Sequence, residues 1–169
     1  VQLIPSQPAL ASRAAIQLAE ALRIATGERR DLVPLRDEWS FVERYLAIEA
    51  LRHGERLRVD ASIDPAAVDW LVPSFALQTL VENAIRHAVA PREAASVLRI
   101  AARIDGARLV IEVDDDGPGI DASAPTSGTG LRRLRERLAV LYGSAASLEL
   151  DNGPHGGGRA RLLLPNHGD

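Results

Sequence analysis

The sequence contains no cysteine, no methionine and no lysine. Without cysteine there is no disulfide and no thiolate metal site. Without lysine, neither a P-loop NTPase nor a eukaryotic-type protein kinase can be built, because each sets a lysine ammonium on its nucleotide phosphates. The lack of methionine places position 1 away from a natural start, so the 169 residues are read as a fragment. Aromatics make up 4% of the chain and the net charge is -3, which leaves neither a basic footprint nor a stacking surface for nucleic acid. No apolar run approaches the roughly 18 residues of a membrane span and no signal-peptide pattern is present, so the fragment is expected to be soluble. What the chain does have is 46% hydrophobic content, enough for one domain with a core, preceded by a helical segment.

From Pro8 to Ala25, Ala11, Ala15, Leu18, Leu22 and Ala25 line one helical face, and Gly27 stops the run. A second helix is predicted from Leu35 to His53, with Leu35, Trp39, Val42, Leu46 and Ala50 on its apolar stripe and Gly54 at its end. LRVDASI at 57–63 alternates as a strand. PSFALQTLVENAIRHAV then predicts a buried helix from Pro73 to Val89, opened by the proline, with Leu77, Leu80, Val81, Ala84, Ile85 and Ala88 facing inward. Two alternating segments, 97–104 and 108–115, flank Asp105-Gly106 and predict an antiparallel hairpin. DASAPTSGTG reads as a flexible loop leading into the helix LRRLRERLAVLY, which Gly143 closes, and SLELDN and RARLLLP give two more strands. There is no regular βαβ alternation. The order predicts an α+β fold, a two-layer sandwich of helices on a mixed, mostly antiparallel sheet.

Three stretches carry candidate chemistry. In VDDDGPGI, strand parity puts Leu109, Ile111, Val113 and Asp115 on the apolar side and Val110, Glu112, Asp114 and Asp116 on the other. Asp115 is therefore the acid that faces the core, suited to accept a hydrogen bond from a ligand amine, and Gly117 and Gly119 let the backbone approach a flat ligand. Alone, the octapeptide also reads as an ordinary acidic turn. On the 73–89 helix, Glu82 and Asn83 lie off the apolar stripe, with Asn83 and His87 on one flank. Their oxygens suit Mg²⁺, although Glu82 and Arg86 at i, i+4 equally read as a solvated ion pair. Gly128-Thr129-Gly130-Leu131 opens a helix whose free N–H groups suit phosphate, a weak signal by itself.

The order LVENAIRHA, then VDDDGPGI, then GTGL resembles the N, G1 and G2 boxes of the GHKL ATPase superfamily, the Bergerat fold. The flanks, from LRDEWSFVERYLAIEALRHGERLRVDASID through GGGRARLLLP, are similar to the LytS-type sensor histidine kinases over about Leu32 to Pro165. The resemblance implies a histidine kinase domain using ATP and Mg²⁺ in two-component signalling. By it, Glu82 is the catalytic acid that positions or activates the nucleophile and Asn83 ligates the metal. Asp115 accepts the adenine amine, with Gly117, Gly119 and Ile120 beside the base, and Gly128, Thr129, Gly130 and Leu131 meet the phosphates. Arg86 and His87 stand where the family often has a basic residue and a histidine near the phosphates.

It further implies that residues 1–33 end a truncated dimerisation and phosphoacceptor region, and that 34–169 form the linker helix and catalytic domain. The implied partners are the phosphoacceptor-histidine segment of the parent kinase, a response regulator and, for the full-length parent, a second copy. The domain is expected to be cytoplasmic, with membrane anchoring of the parent open. Two features depart from the family. Asp116 replaces the usual Asn, on an outward face where it adds negative charge near the phosphates, and no Pro-His-Phe-type phosphoacceptor motif is present. The fragment alone is thus expected to bind nucleotide without phosphorylating itself. His53, His155 and His167 default to solvated or structural roles. Alternatives are an anti-sigma-type serine kinase and a non-catalytic ATP-gated interaction module.

Overall fold

The computed structural model describes residues 31–120 and 129–166. The predicted Pro8–Ala25 helix, Gly128 and the preceding loop from Asp121, and His167 lie outside the described residues.

The first described strand, β1 (Leu32–Pro34), runs directly into α1 (Leu35–His53). Asp37 and Glu38 occupy the first turn of α1 and Arg52 and His53 the last, so side-chain charge opposes the helix dipole at both ends. Gly54, at φ 59°, ends the helix by donating its N–H to Ala50 O. The buried face is not the one expected. Leu35, Val42 and Leu46 are buried, but Ala50 is exposed, and Glu38, Tyr45, Glu49 and His53 complete the inner face. Apolar spacing could not anticipate this, because Glu38 is satisfied by a donor 37 residues away and Glu49 by Arg52 and His53 within its own helix.

β2 (Leu57–Ile63) follows as predicted, and then β3 (Leu71–Pro73). Strands β1 and β3 are both Leu-Val-Pro and pair antiparallel, placing Val33 against Val72 in the core. Pro73 is therefore a strand residue and not the first residue of a helix, a correction to the sequence reading. Proline suits a strand edge where no ladder N–H is needed.

α2 starts three residues later, spanning Ala76–Ala84, and passes into a π-helical turn at Ile85–Val89. Phe75, at φ 64°, is the sole non-glycine in the left-handed region among the described residues. Its N–H donates to Glu38 Oε1 at 2.7 Å, a charge-assisted bond that offsets the roughly 1–2 kcal/mol of that conformation. All six predicted inward residues of this helix are buried.

β4 (Ser96–Asp105) and β5 (Arg108–Asp115) form the expected hairpin, turned through Gly106 at φ 59°. α3 (Thr129–Tyr142), β6 (Ser147–Asn152) and β7 (Gly158–Pro165) complete the domain. The larger sheet has the order β2-β4-β5-β7-β6, with β2 parallel to β4 and all other pairs antiparallel. The fold is α+β, with helices layered on a mixed, mostly antiparallel sheet.

One face of the sheet is apolar. Leu98, Ile100, Leu109, Ile111, Leu162 and Leu164 are buried with Leu77, Leu80 and Val81 of α2, each worth about 1.5–3 kcal/mol in transfer from water. The opposite face alternates in charge across strands, with Arg99 opposite Asp114 and Asp114 opposite Arg159, which faces Asp151. Arg159 grips Asp151 through two bonds of 2.8 and 2.7 Å. Glu112 lies between Arg161, at 2.7 Å, and Arg103.

Candidate functional site

Strand parity places Asp115 where the sequence suggested, at the buried end of β5 and only 8% exposed. Its Oδ1 accepts the N–H of Gly117 at 2.8 Å and that of Gly158, on β7, at 3.0 Å. Two backbone donors hold Oδ1, and neither of these bonds uses Oδ2. The glycines are steric necessities. A Cβ on Gly117 would come within 2.7 Å of the Ala88 Cβ, and one on Gly157 would collide with the Asp115 carbonyl. Gly119, at φ 80°, has no room on the Asn152 side. Ile120 is half-buried and donates its N–H to Asn152 Oδ1 at 2.7 Å.

Asp116 corrects the expectation of an outward charge. Its Oδ1 accepts from Val97 N at 3.0 Å and Arg92 Nη1 at 3.1 Å, and its carbonyl accepts from the same guanidinium at 2.8 Å. The side chain is a tie between the loop and the start of β4, with its charge matched by Arg92. Asp114, on the face opposite Asp115, is half-buried. Burial pushes its carboxyl up, against the pull of Arg159.

Glu82 and Asn83 are half-buried on α2, and Arg86 and His87 are exposed on the π-helical turn. Gln78 donates to Glu82 Oε1 at 2.6 Å. From α1, Tyr45 comes close enough that burial first, then the charges of Glu49 and Glu82, hold its phenol protonated far above the ordinary range. At the other end of α2, Gly130 lies beside Thr79, where an added Cβ would be 3.3 Å from Thr79 Cγ2, so the first turn of α3 abuts α2. Arg137 of α3 donates to Ser74 O at 2.8 Å and ties α3 to the turn that precedes α2. Leu131 is buried and anchors that first turn, while Thr129 is exposed.

These contacts give α2 a direction. The start of α3 stands at Thr79, the Asp115 loop stands at Ala88, and Glu82, Asn83, Arg86 and His87 lie between. Nine residues at about 1.5 Å each separate the ends by roughly 13 Å.

The histidine kinase-, DNA gyrase B-, and HSP90-like ATPase family model matches residues 73–168, more than half of the chain. The chain belongs to this ATPase family. A histidine kinase family model matches residues 1–57. Among curated relatives, the sensor protein LytS of Staphylococcus saprophyticus is 35% identical over 165 residues, covering 90% of this chain and 28% of that protein. The sensor histidine kinase YesM of Bacillus subtilis is 32% identical over 148 residues, covering 85% and 26%. The chain thus spans about a quarter of the length of the relatives it matches. The histidine kinase domain of the blue-light activated histidine kinase of Erythrobacter litoralis shares the fold with a TM-score of 0.59 at 22% identity, over 79% of this chain and 62% of that one.

As a member of this ATPase family, the chain is an ATP-binding catalytic domain of the kind carried by sensor histidine kinases, in agreement with the motif resemblance. These relatives lend no support to the serine kinase or to the non-catalytic module. No helix among the described residues is long and apolar enough to cross a membrane. Gly157, Gly158, Arg92 and Asn152 shape the Asp115 loop and were not singled out from sequence. The run Gly156-Gly157-Gly158 at a strand start was a usable signal for the first two. Arg92 and Asn152 carry none, since their partners are 24 and 32 residues distant.

Proposed function

We propose that the chain binds Mg-ATP along α2 and presents its γ-phosphoryl group to a histidine outside these 169 residues, as the catalytic domain of a LytS-like sensor histidine kinase. The observation that carries this is the axial order on α2, with a carboxylate acceptor at one end, a helix start at the other and Glu82 and Asn83 between. Asp115, held by two backbone N–H groups, would accept the adenine amine, and Gly117, Gly119 and Ile120 would flank the base. The donor-rich start of α3 at Thr129, Gly130 and Leu131, together with Gly128, would receive phosphate oxygens.

Asn83 and Glu82 offer hard oxygen donors, a fit to Mg²⁺, which takes few protein ligands beside phosphate and water. Among the described residues no cluster of three or more His, Asp or Glu side chains could hold a metal by itself, so Asn83 would bind the ion jointly with the nucleotide. The bound ion would neutralise phosphate charge. Glu82, oriented by Gln78, would position or accept a proton from the attacking histidine. Arg86 and His87 would add positive charge and a donor near the phosphates. Catalysis would rest on positioning and charge neutralisation.

Residues 1–33 are read as the end of the dimerisation and phosphoacceptor region, a reading supported by the histidine kinase match over 1–57. The whole protein would then act as a homodimer on the cytoplasmic side and pass its phosphoryl group to a response regulator. Calorimetric titration with ATP, with and without Mg²⁺, tests the site. Asp115→Ala should abolish binding under both conditions, while Asn83→Ala should remove mainly the Mg²⁺ dependence. Unchanged affinity in Asp115→Ala would refute the pocket.

A further inference from the structure

The loop 116–120 is held from both sides. At its start, Asp116 is tied to Arg92 and Val97. At its end, the Ile120 N–H reaches across to Asn152 Oδ1, the last residue of β6, at 2.7 Å. The same oxygen occupies the space where a Gly119 side chain would project, 2.8 Å from that Cβ position.

The turn that carries Asn152 is itself closed. Gly153 N–H donates to Gly157 O at 2.8 Å, Gly156 N–H donates to Gly153 O at 3.1 Å, and the Arg159–Asp151 pair locks the strand ends behind it. From this turn Gly157 packs under the Asp115 carbonyl and Gly158 bonds the Asp115 carboxylate. The β6–β7 turn thus touches the loop at both its acid and its last residue.

We infer that Asn152 is a positioning residue for nucleotide binding, acting through Ile120 to hold the glycine loop in its ligand-ready shape. This inference rests on the proposed ATP site and deepens it. A loop with two glycines has much conformational freedom to lose when it is ordered. With the Asn152 bond in place that ordering precedes binding. Without it, part of the cost falls on the ligand and lowers affinity while the fold is retained. Asn152 is exposed at a hairpin end, so its truncation leaves no cavity.

The test compares wild type, Asn152→Ala and Asn152→Asp in the 169-residue chain, with Mg-ADP as the probe. Asn152→Ala should weaken ADP binding about 3- to 10-fold, the worth of one hydrogen bond, with the thermal midpoint nearly unchanged. The Ile120 amide should lose its protection from hydrogen exchange in the same variant. Asn152→Asp keeps an acceptor and should restore both readouts to near wild type. Equal ADP affinity in wild type and Asn152→Ala would overturn the role of Asn152 and leave the site intact. Failure of wild type to bind any adenine nucleotide would overturn the site, and this inference with it.

Discussion

The carboxylate of Glu38 on α1 accepts the backbone N–H of Phe75, 37 residues away, at 2.7 Å. Phe75 is left-handed and sits immediately before α2, so one side chain of α1 fixes where α2 begins. Glu38→Ala should destabilise the domain by about 1–3 kcal/mol, the range for losing the partner of a buried donor. Glu38→Gln, which keeps an acceptor, should recover most of that. Urea unfolding followed by circular dichroism checks both values, and equal midpoints for wild type and Glu38→Ala would refute the role.

Two glycines give a contrast in mechanism. Gly143, at φ 58°, closes α3 with open space around it, so Gly143→Ala should cost about 1 kcal/mol from backbone conformation alone. At Gly157 a Cβ meets the Asp115 carbonyl, which must shift, so Gly157→Ala should cost about 3 kcal/mol or more. That variant should also lose nucleotide binding, because the displaced residue, Asp115, is the proposed acceptor for the base. Thermal melts and ADP titration separate the two variants.

His53 should make stability depend on pH. It is buried at the end of α1 with Nε2 3.3 Å from Glu49 Oε2. Burial first, and then the positive charge of Arg52, lower its pKa below the ordinary 6.5, against the pull of Glu49. Between the folded and unfolded pKa values the unfolded chain binds more protons, so stability is full above about 6.5 and falls as pH drops through that window. His53→Gln should flatten the pH dependence of the urea midpoint below 6.5. A variant with the same slope as wild type would assign that loss to other groups.

Much of the fold was legible because period and punctuation agree locally. Leu35–His53 and Leu57–Ile63 fall on the predicted bounds, and the glycines at 54, 106 and 143 turn or stop the chain where open φ space is needed. The buried acids of α1 were not legible. Glu38 finds its donor at Phe75, and Glu49 stands beside His53 and Tyr45, so a polar residue occupies an inward position that apolar spacing skips. The β1–β3 pair escaped for a related reason, since a strand of three residues has too little alternation to signal itself.

By itself the sequence determined the face on which Asp115 lies, because side chains on a strand alternate whatever the fold. It determined equally the apolar stripe of α2 and the boundaries set by glycine. Tertiary structure decided what surrounds those residues. Only the register of β5 against β7 brings the Gly158 N–H to Asp115, only the β6–β7 turn brings Asn152 to Ile120, and only the approach of Arg92 turns Asp116 into a tie. Each joins residues 24 to 43 positions apart, and a hydrogen bond across that distance depends on the packed arrangement of whole elements, which no local pattern encodes.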